Sequence, residues 1–424
     1  MVLNVPGFVL FALQRLEKGG FQGYLVGGCI RDAIRGVTPC DWDICTDATP
    51  EEILRCFHDQ ATVCTGVRHG TVGVVLEGQL VEITTFRWDG SYSDGRHPDQ
   101  VTFTKSLETD LRRRDFTINA MAYHPAKGVI DFFGGQADLC AGIIRCVGDA
   151  RERFAEDALR IVRGLRFSSV LGFSVEDATA QGMYQQRSGL TAVSMERIRD
   201  EWEKTLLGEH IGNVLRGFSP IVAALIPELR NCLPLGKFHD KRLTGWKTLT
   251  KAVSAAPHRR AVRWAVLLHP LERAENGEAV ENVLRRFCYG KKEIQTIFRL
   301  LQNRKLKLRP EMPCVKQLLY LLGEQGAFDL IGMKKAIAAA KERTETVALL
   351  QQTEDLAKEM VGSGECYSLD RLAVTGADLI QLGIPAGPSI GVILKNVMAQ
   401  VLDGRLENDK ENLLRYAKEV FSMD

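Results

Sequence analysis

Residues 24–46 read YLVGGCIRDAIRGVTPCDWDICT, and this stretch decides how the rest of the chain is understood. Leu25-Val26 reads as the end of a buried strand. Gly27-Gly28 follows, and with no Cβ on either residue the backbone turns tightly and can come close to a ligand. Cys29 to Arg35 reads as a short helix stopped by Gly36, with N-terminal N–H groups able to face an anion. Asp41 and Asp43 sit two apart in what reads as a strand, so both carboxylates point to one face. Two carboxylates converging beside a phosphate-binding turn are what two-magnesium phosphoryl transfer requires.

The chain has 424 residues, which predicts two to four domains, and its 45% hydrophobic content is enough to fill sizeable cores. Net charge is only +2, but residues 241–310 hold 17 Lys/Arg against 5 Asp/Glu, so the remainder is net acidic. A basic block in a near-neutral chain points to a polyanionic partner, the plain alternative being a solvated helix face. Eleven cysteines lie scattered without a Cys-x-x-Cys, which argues for a reducing compartment over a disulfide scaffold. The N-terminus reads as an amphipathic helix ended by Gly19-Gly20, not a signal peptide. No run approaches membrane-spanning length. A soluble cytoplasmic protein with no membrane association is the expectation; oligomeric state is not readable.

Short β-rich runs mix with helices up to about residue 148. Thr71–Leu76 (TVGVVL) and Leu80–Arg87 (LVEITTFR) predict a hairpin turning over Glu77 to Gln79. Trp88 to Gln100 (WDGSYSDGRHPDQ) reads as loop. After about 150 strand signals fade, and helices are predicted over Glu156–Phe167, Ser194–Leu207 and Met333–Met360. Breaks containing proline fall near 220–235, 257, 310–313 and 385–388. The layout is a small α/β head followed by a long all-helical remainder.

Three further places carry candidate chemistry. Glu82, on the second hairpin strand, is either a third carboxylate beside Asp41 and Asp43 or a surface strand residue. In DLRRRDFTINAMA (Asp110 to Ala122) the arginine cluster suits a triphosphate, and Asp115 and Asn119 could contact a ribose. The competing reading makes Asp115 a helix cap. In EDALRIVRGLR (Glu156 to Arg166), Asp157 and Arg160 are three apart, hence neighbours on one helix face, with Arg163 and Arg166 continuing along that side. This is either an intrahelical ion-pair ladder or a base reader. Cytosine and adenine each present an amino donor beside a ring-nitrogen acceptor, which an Asp and an Arg match; uracil and guanine present the opposite polarity. Such a pair selects C and A without a template, because the wrong base leaves buried polar groups unpaired. His239-Asp240 is the doublet of metal phosphohydrolases, but no companion His/Asp set accompanies it.

Taken together, GGCIRD, DWD, GVRHGTV, VEITTFR, DGRHP, RRDFTINAMA and EDALRIVRGLRF, in this order across about residues 20–175, resemble the class II nucleotidyltransferases of the DNA polymerase β superfamily, and most closely the bacterial CCA-adding enzymes (tRNA nucleotidyltransferases). GADLIQLGI and GPSIG look like that family's C-terminal end. The resemblance implies an α+β fold: a palm-like nucleotidyltransferase head with a mixed β-sheet (1–148), then an all-α neck (149–208), body (209–310) and tail (311–424), with tRNA along the helical part. It implies Mg²⁺ on Asp41 and Asp43, nucleotide phosphates at Gly28 and Arg31, nucleotide contact by Arg114, base reading by Asp157 and Arg160, and completion of the nucleotide site by Arg163 and Arg166.

The implied reaction is stepwise addition of C, C and A to a tRNA 3′ end from CTP and ATP. Within the superfamily, poly(A) polymerases carry a Gly-Arg-Arg-Phe-like segment where this chain has GVRHGTV. CC-only relatives lack the head loop that DGRHP (Asp94 to Pro98) belongs to, and Asp89 to Pro98 is the expected lever for switching from C to A. An enzyme adding only the final A stays open. WAVLLHPL around His269 looks like the remnant of an appended phosphohydrolase segment. The reading from a different class is an RNA-binding protein with an inactive head, against which intact Asp41, Asp43 and Arg114 stand.

Overall fold

A computed structural model describes residues 3–90, 101–232, 241–271 and 277–423. The chain divides into two compact units, Met1–Pro227 and Glu228–Asp424.

The first unit opens with α1 (Gly7–Lys18), whose Val9, Ala12, Leu13 and Leu16 are buried, as the amphipathic pattern predicts. It leads into β1 (Gly23–Val26), α2 (Gly28–Ile34), β2 (Asp43–Thr46), α3 (Pro50–Cys56), β3 (Ala61–Val63), β4 (Thr71–Leu76) and β5 (Gln79–Thr85). β6 (Arg87–Asp89) and β7 (Val101–Phe103) form a separate small ribbon, followed by α4 (Leu107–Arg112), β8 (Met121–His124), β9 (Gly128–Asp131), α5 (Gly135–Ala141) and β10 (Ile143–Ile144). Seven strands make one mixed sheet in the order β3-β4-β5-β2-β1-β8-β9. β2 runs parallel to β5 and antiparallel to β1, so Asp43 stands opposite both Val26 and Glu82.

Sequence logic sets the local details. α3 carries a capping box in which Thr49 and Glu52 satisfy each other's backbone N–H groups. Glu77 and Gly78 both have positive φ (51° and 77°), the two-residue turn that matches strand twist, so the hairpin closes one residue earlier than the sequence reading placed it. The predicted second strand also ends sooner: Thr85 closes β5 and Arg87 begins the ribbon. The residues read as loop from Trp88 therefore start in strand, while residues 91–100 lie outside the described residues, as does His239-Asp240. On one side of the sheet Tyr24, Val26, Cys45, Phe86, Leu111 and Ala122 form a buried cluster. Each large apolar side chain so buried contributes roughly 1.5–3 kcal/mol.

α6 (Ala150–Glu156), α7 (Leu159–Leu171), β11 (Ser174–Val175), α8 (Asp177–Gln186), α9 (Met195–Leu207), α10 (Ile211–Gly217) and α11 (Ser219–Leu225) complete this unit. β11 pairs with β10, a two-residue exception to the all-helical expectation after 150. A larger correction concerns the predicted helix Glu156–Phe167. It is two helices broken at Asp157, which is extended (φ −146°, ψ 104°) and whose Oδ1 accepts from the Leu159 N–H at 3.0 Å. A short polar side chain that bonds nearby backbone favours such a helix start over a helix interior.

The second unit is helical: α12 (Lys241–Ala255), α13 (Arg260–Leu268), α14 (Glu278–Arg286), α15 (Lys291–Gln302), α16 (Met312–Ala340), α17 (Thr344–Ser363), α18 (Gly376–Gln381), α19 (Pro388–Leu402) and α20 (Lys410–Met423). The expected single helix Met333–Met360 is interrupted between α16 and α17, where Glu342 takes φ 58°. α16 is itself broken at Gly323, whose φ of 72° only glycine adopts readily. Among the described residues no helix is long and apolar enough to cross a membrane.

α7 and α9 hold the side of the first unit that matters for chemistry, and they pack with little tolerance. Ser169 Oγ donates to the Thr205 carbonyl at 2.6 Å, and a Cβ added at Gly208 would stand 2.7 Å from the Ser169 backbone. Gly208→Ala is expected to lose about 1–3 kcal/mol, read as a lower urea midpoint at unchanged m-value. A midpoint equal to the parent's would show that the two helices can separate freely here.

Candidate active site

The end of β1 and the start of β2 are neighbours in the sheet, so the glycine turn and the aspartates are brought side by side. Gly27 takes φ 81° and ψ −138°, and a Cβ there would lie 3.2 Å from Arg114 Nη1 and 3.8 Å from Asp43 Oδ2. The turn thus lies directly against both groups, and Gly28 begins α2 beside it.

Asp43 begins β2, whereas Asp41 lies just before the strand, so they are not alternate residues of one strand as expected. They nevertheless line the same cavity. Burial first, and then the Asp41 charge, push the Asp43 carboxyl up to about 6, against the opposing pull of Arg114. Neither aspartate forms an ion pair among the described residues. Two crowded carboxylates without an ion-paired partner among the described residues are hard oxygen donors that suit a hard divalent cation. Glu82 stands opposite Asp43 across the β2–β5 pairing and adds to the charge Asp43 feels, but it is exposed and does not line the cavity.

The arginines are positioned by two acids, Asp110, which the sequence did not single out, and Asp115, which it offered as a ribose contact or a helix cap. Asp110, fully buried on α4, accepts from Arg113 Nε and Nη2 at 3.0 and 2.9 Å and lies 3.6 Å from Arg114 Nη2. Asp115 is only 7% exposed and accepts from the Phe116 N–H, from Asn119 Nδ2 at 3.1 Å and from Arg163 Nε at 2.7 Å. Burial alone would push its pKa up, but Arg163, Asn119 and Phe116 outweigh this and hold it at about 2. Asp115 therefore anchors Arg163 and Asn119. It does not cap a helix: α4 ends before it, and a short 3₁₀ turn, Thr117–Asn119, follows. Asn119 Oδ1 in turn accepts from Arg31 Nη1 at 2.8 Å. Arg166 pairs with Glu201 of α9 at 3.1 Å, and burial lowers its proton affinity.

Because the helix breaks at Asp157, this residue and Arg160 flank a helix start instead of sharing a continuous face. Asp157 Oδ2 accepts from Arg197 Nη2 at 2.7 Å. Arg160 donates to Glu156 Oε2 at 2.6 Å and to the Arg153 and Arg113 carbonyls at 3.0 and 3.2 Å. Both residues line the cavity.

That cavity, about 710 Å³, is lined by every residue predicted for the site except Glu82. Its size falls within the roughly 300–1,000 Å³ of small-molecule sites. Eight Arg/Lys and five Asp line it, an excess suited to a polyanionic ligand. Arg113 was read only as part of the arginine cluster, and Arg197, Lys204 and Phe167 were missed from sequence. Phe167 has the Arg31, Arg163 and Arg166 guanidiniums 5.2, 5.8 and 4.4 Å from its ring centroid. A readable signal existed for α9 alone: Arg197, Glu201 and Lys204 recur at helical spacing.

The head domain of poly(A) polymerase matches residues 23–145, the RNA- and SrmB-binding site of polymerase A matches 172–230, and domain 2 of tRNA nucleotidyltransferase matches 256–417. Fold and site thus define a nucleotidyltransferase. The CCA-adding enzyme of Leuconostoc mesenteroides is 35% identical over 96% of this chain and 94% of its own length, and that of Enterococcus faecalis 34% over 96% and 94%. The CCA-adding enzyme of Bacillus stearothermophilus, solved with CTP, superposes with a TM-score of 0.75 at 32% identity, covering 98% of this chain and 97% of that one. The Thermotoga maritima enzyme complexed with tRNA shares the fold at 21% identity and a TM-score of 0.64, covering 98% and 96%. The chain belongs to the CCA-adding enzyme family.

Asp115→Asn tests the anchor. A carboxyl ionising at about 2 instead of its ordinary 3.8 stabilises the fold by about 2 kcal/mol at neutral pH. Because the folded value is the lower one, this contribution is present above about pH 4 and is lost as pH falls through about 2. The variant is expected to be about 2 kcal/mol less stable at pH 7, with the gap to the parent closing between pH 4 and 2 in denaturant titrations. A gap independent of pH would remove the charge from the explanation.

Proposed function

We propose that this protein adds C, C and A one at a time to the 3′ end of tRNA, taking CTP and ATP, releasing pyrophosphate and using no template. The observation that carries the reading is a single cavity that joins an unpaired carboxylate couple, a row of arginines and the Asp157/Arg160 pair. Asp41 and Asp43 would hold Mg²⁺, which when bound polarises the primer 3′-hydroxyl and neutralises charge on the departing pyrophosphate. Gly27-Gly28 lets the triphosphate approach the backbone. Arg31, Arg114, Arg163 and Arg166 neutralise and orient phosphates through their guanidinium forks. Asp115 and Asn119 keep Arg163 and Arg31 in place, and remain candidates for ribose contact. Glu82 would reinforce the negative field at Asp43.

Asp157 accepts from the base amino group and Arg160 donates to the ring nitrogen, which admits C and A and leaves U and G mispaired. Each Asp157 oxygen takes one protein hydrogen bond and retains acceptor capacity for the base. In this reading residues 1–148 are the catalytic head, 149–208 the neck, 209–310 the basic body and 311–424 the tail, the helical parts lying along tRNA. The cytoplasm, where tRNA and nucleotides meet, is its compartment. Full-length similarity to CCA-adding enzymes supports this over a poly(A) polymerase or an inactive RNA binder.

Incubating the protein with labelled CTP or ATP and a truncated tRNA is expected to yield CCA ends; A-only or poly(A) products would name a different enzyme, and no product a binder. Asp41→Ala should lower incorporation by more than about a thousandfold while tRNA binding persists. Substantial residual turnover would sink the metal assignment. Exchanging polarity with Asp157→Arg and Arg160→Asp together should shift preference toward U or G, and continued selection of C and A would overturn the base-reading role.

A further inference from the structure

α9 presents Arg197, Glu201 and Lys204 along the side facing α7, at the i, i+4, i+7 spacing of one helix stripe. Glu201 pairs with Arg166, and Lys204 lines the cavity wall. Arg197 does something more specific. Its Nη2 donates to Asp157 Oδ2 at 2.7 Å, across 40 residues of sequence, and the guanidinium also borders the cavity. The other Asp157 oxygen is held by the Leu159 N–H at 3.0 Å. One carboxylate is thus fixed at both oxygens, by its own helix start and by a neighbouring helix.

This arrangement matters because an aspartate at a helix break is poorly constrained. Its χ2 torsion is broad, so a single hydrogen bond at Oδ1 leaves the second oxygen free to swing. Cytosine and uracil have nearly the same shape and differ mainly in donor and acceptor polarity at the pairing edge. Telling them apart needs an acceptor at a defined place, not merely negative charge nearby. Arg160 is already held by Glu156 and two backbone carbonyls, so the donor half of the pair is set within α6, α7 and the Arg113 carbonyl. The acceptor half has its second anchor on α9.

We infer that Arg197 is a specificity-determining positioning residue: by clamping Asp157 Oδ2 it aims the carboxylate that accepts the amino group of the incoming base. The inference rests on the reading of Asp157 as a base selector. Arg197 acts through Asp157, so its loss affects the choice between bases more than the capture of the triphosphate. Lysine, a point charge without the planar fork, replaces it only in part.

The test is the ratio of kcat/KM for CTP to that for UTP, measured with a truncated tRNA on the full-length protein. Arg197→Met is expected to lower this ratio by about ten- to a hundredfold, the scale of a misplacement of order 1 Å at a reacting site. Arg197→Lys should fall between the parent and Arg197→Met, and it carries the test alone if the methionine variant does not fold. Asp157→Ala separates the inference from its foundation. If Asp157→Ala keeps the parent ratio, the base-selecting role of Asp157 fails. If Asp157→Ala loses the ratio while the folded Arg197 variants keep it, the role of Arg197 fails. Adding the Arg197 substitution to Asp157→Ala should lower the ratio no further, since the clamp would have nothing left to hold; an additive loss would show that Arg197 contacts the nucleotide directly and overturn the positioning role.

Discussion

The buried ion pair between Asp115 and Arg163 is the constraint on which this site depends. A carboxylate so removed from water is costly unless its charge and lone pairs are satisfied. Here a guanidinium, a side-chain amide and a backbone N–H satisfy it together. Phe116 and Asn119 belong to the 3₁₀ turn and its cap position, and Arg163 to α7. Through Asn119 the pair reaches Arg31 on α2, and through Arg163 it reaches Glu201 on α9, 3.9 Å away. Moving any one of these elements strands a buried charge. The 3₁₀ turn and the helices α2, α7 and α9 are thereby tied into one wall.

The same charges explain why the cavity suits a nucleotide. Asp32, Asp115 and Asp157 are each paired with an arginine, while Asp41 and Asp43 have no ion pair among the described residues. Cations around the ring of Phe167 are held close together although they repel, because the ring face and the flanking acids offset the repulsion. Asp43 stands on the sheet and Arg160, Arg163 and Arg166 on α7, and the ion pairs fix one group relative to the other.

Much of this was legible in the residues. The glycine turn, the β4–β5 hairpin and the arginine row follow from local rules, since strand alternation, turn glycines and helical spacing depend on near neighbours. The Asp/Arg polarity argument needed only hydrogen-bond inventory. The errors were also local in origin. Periodicity carried the helix through Asp157 because the apolar pattern continues past it, and nothing in that pattern shows that the side chain takes the next N–H for itself. Met333–Met360 ran together for the same reason, since one residue at positive φ ends a helix without interrupting its composition.

What the sequence determined by itself was the class of chemistry: two acids beside a close backbone turn, and an Asp/Arg pair whose polarity matches cytosine and adenine. Only the tertiary structure decided who holds whom. Asn119 on Arg31, Asp115 on Arg163 and Arg197 on Asp157 are contacts between distant segments. Spacing along the chain does not name these partners, because an ion pair between distant segments is selected by distance and dielectric after the backbone has packed.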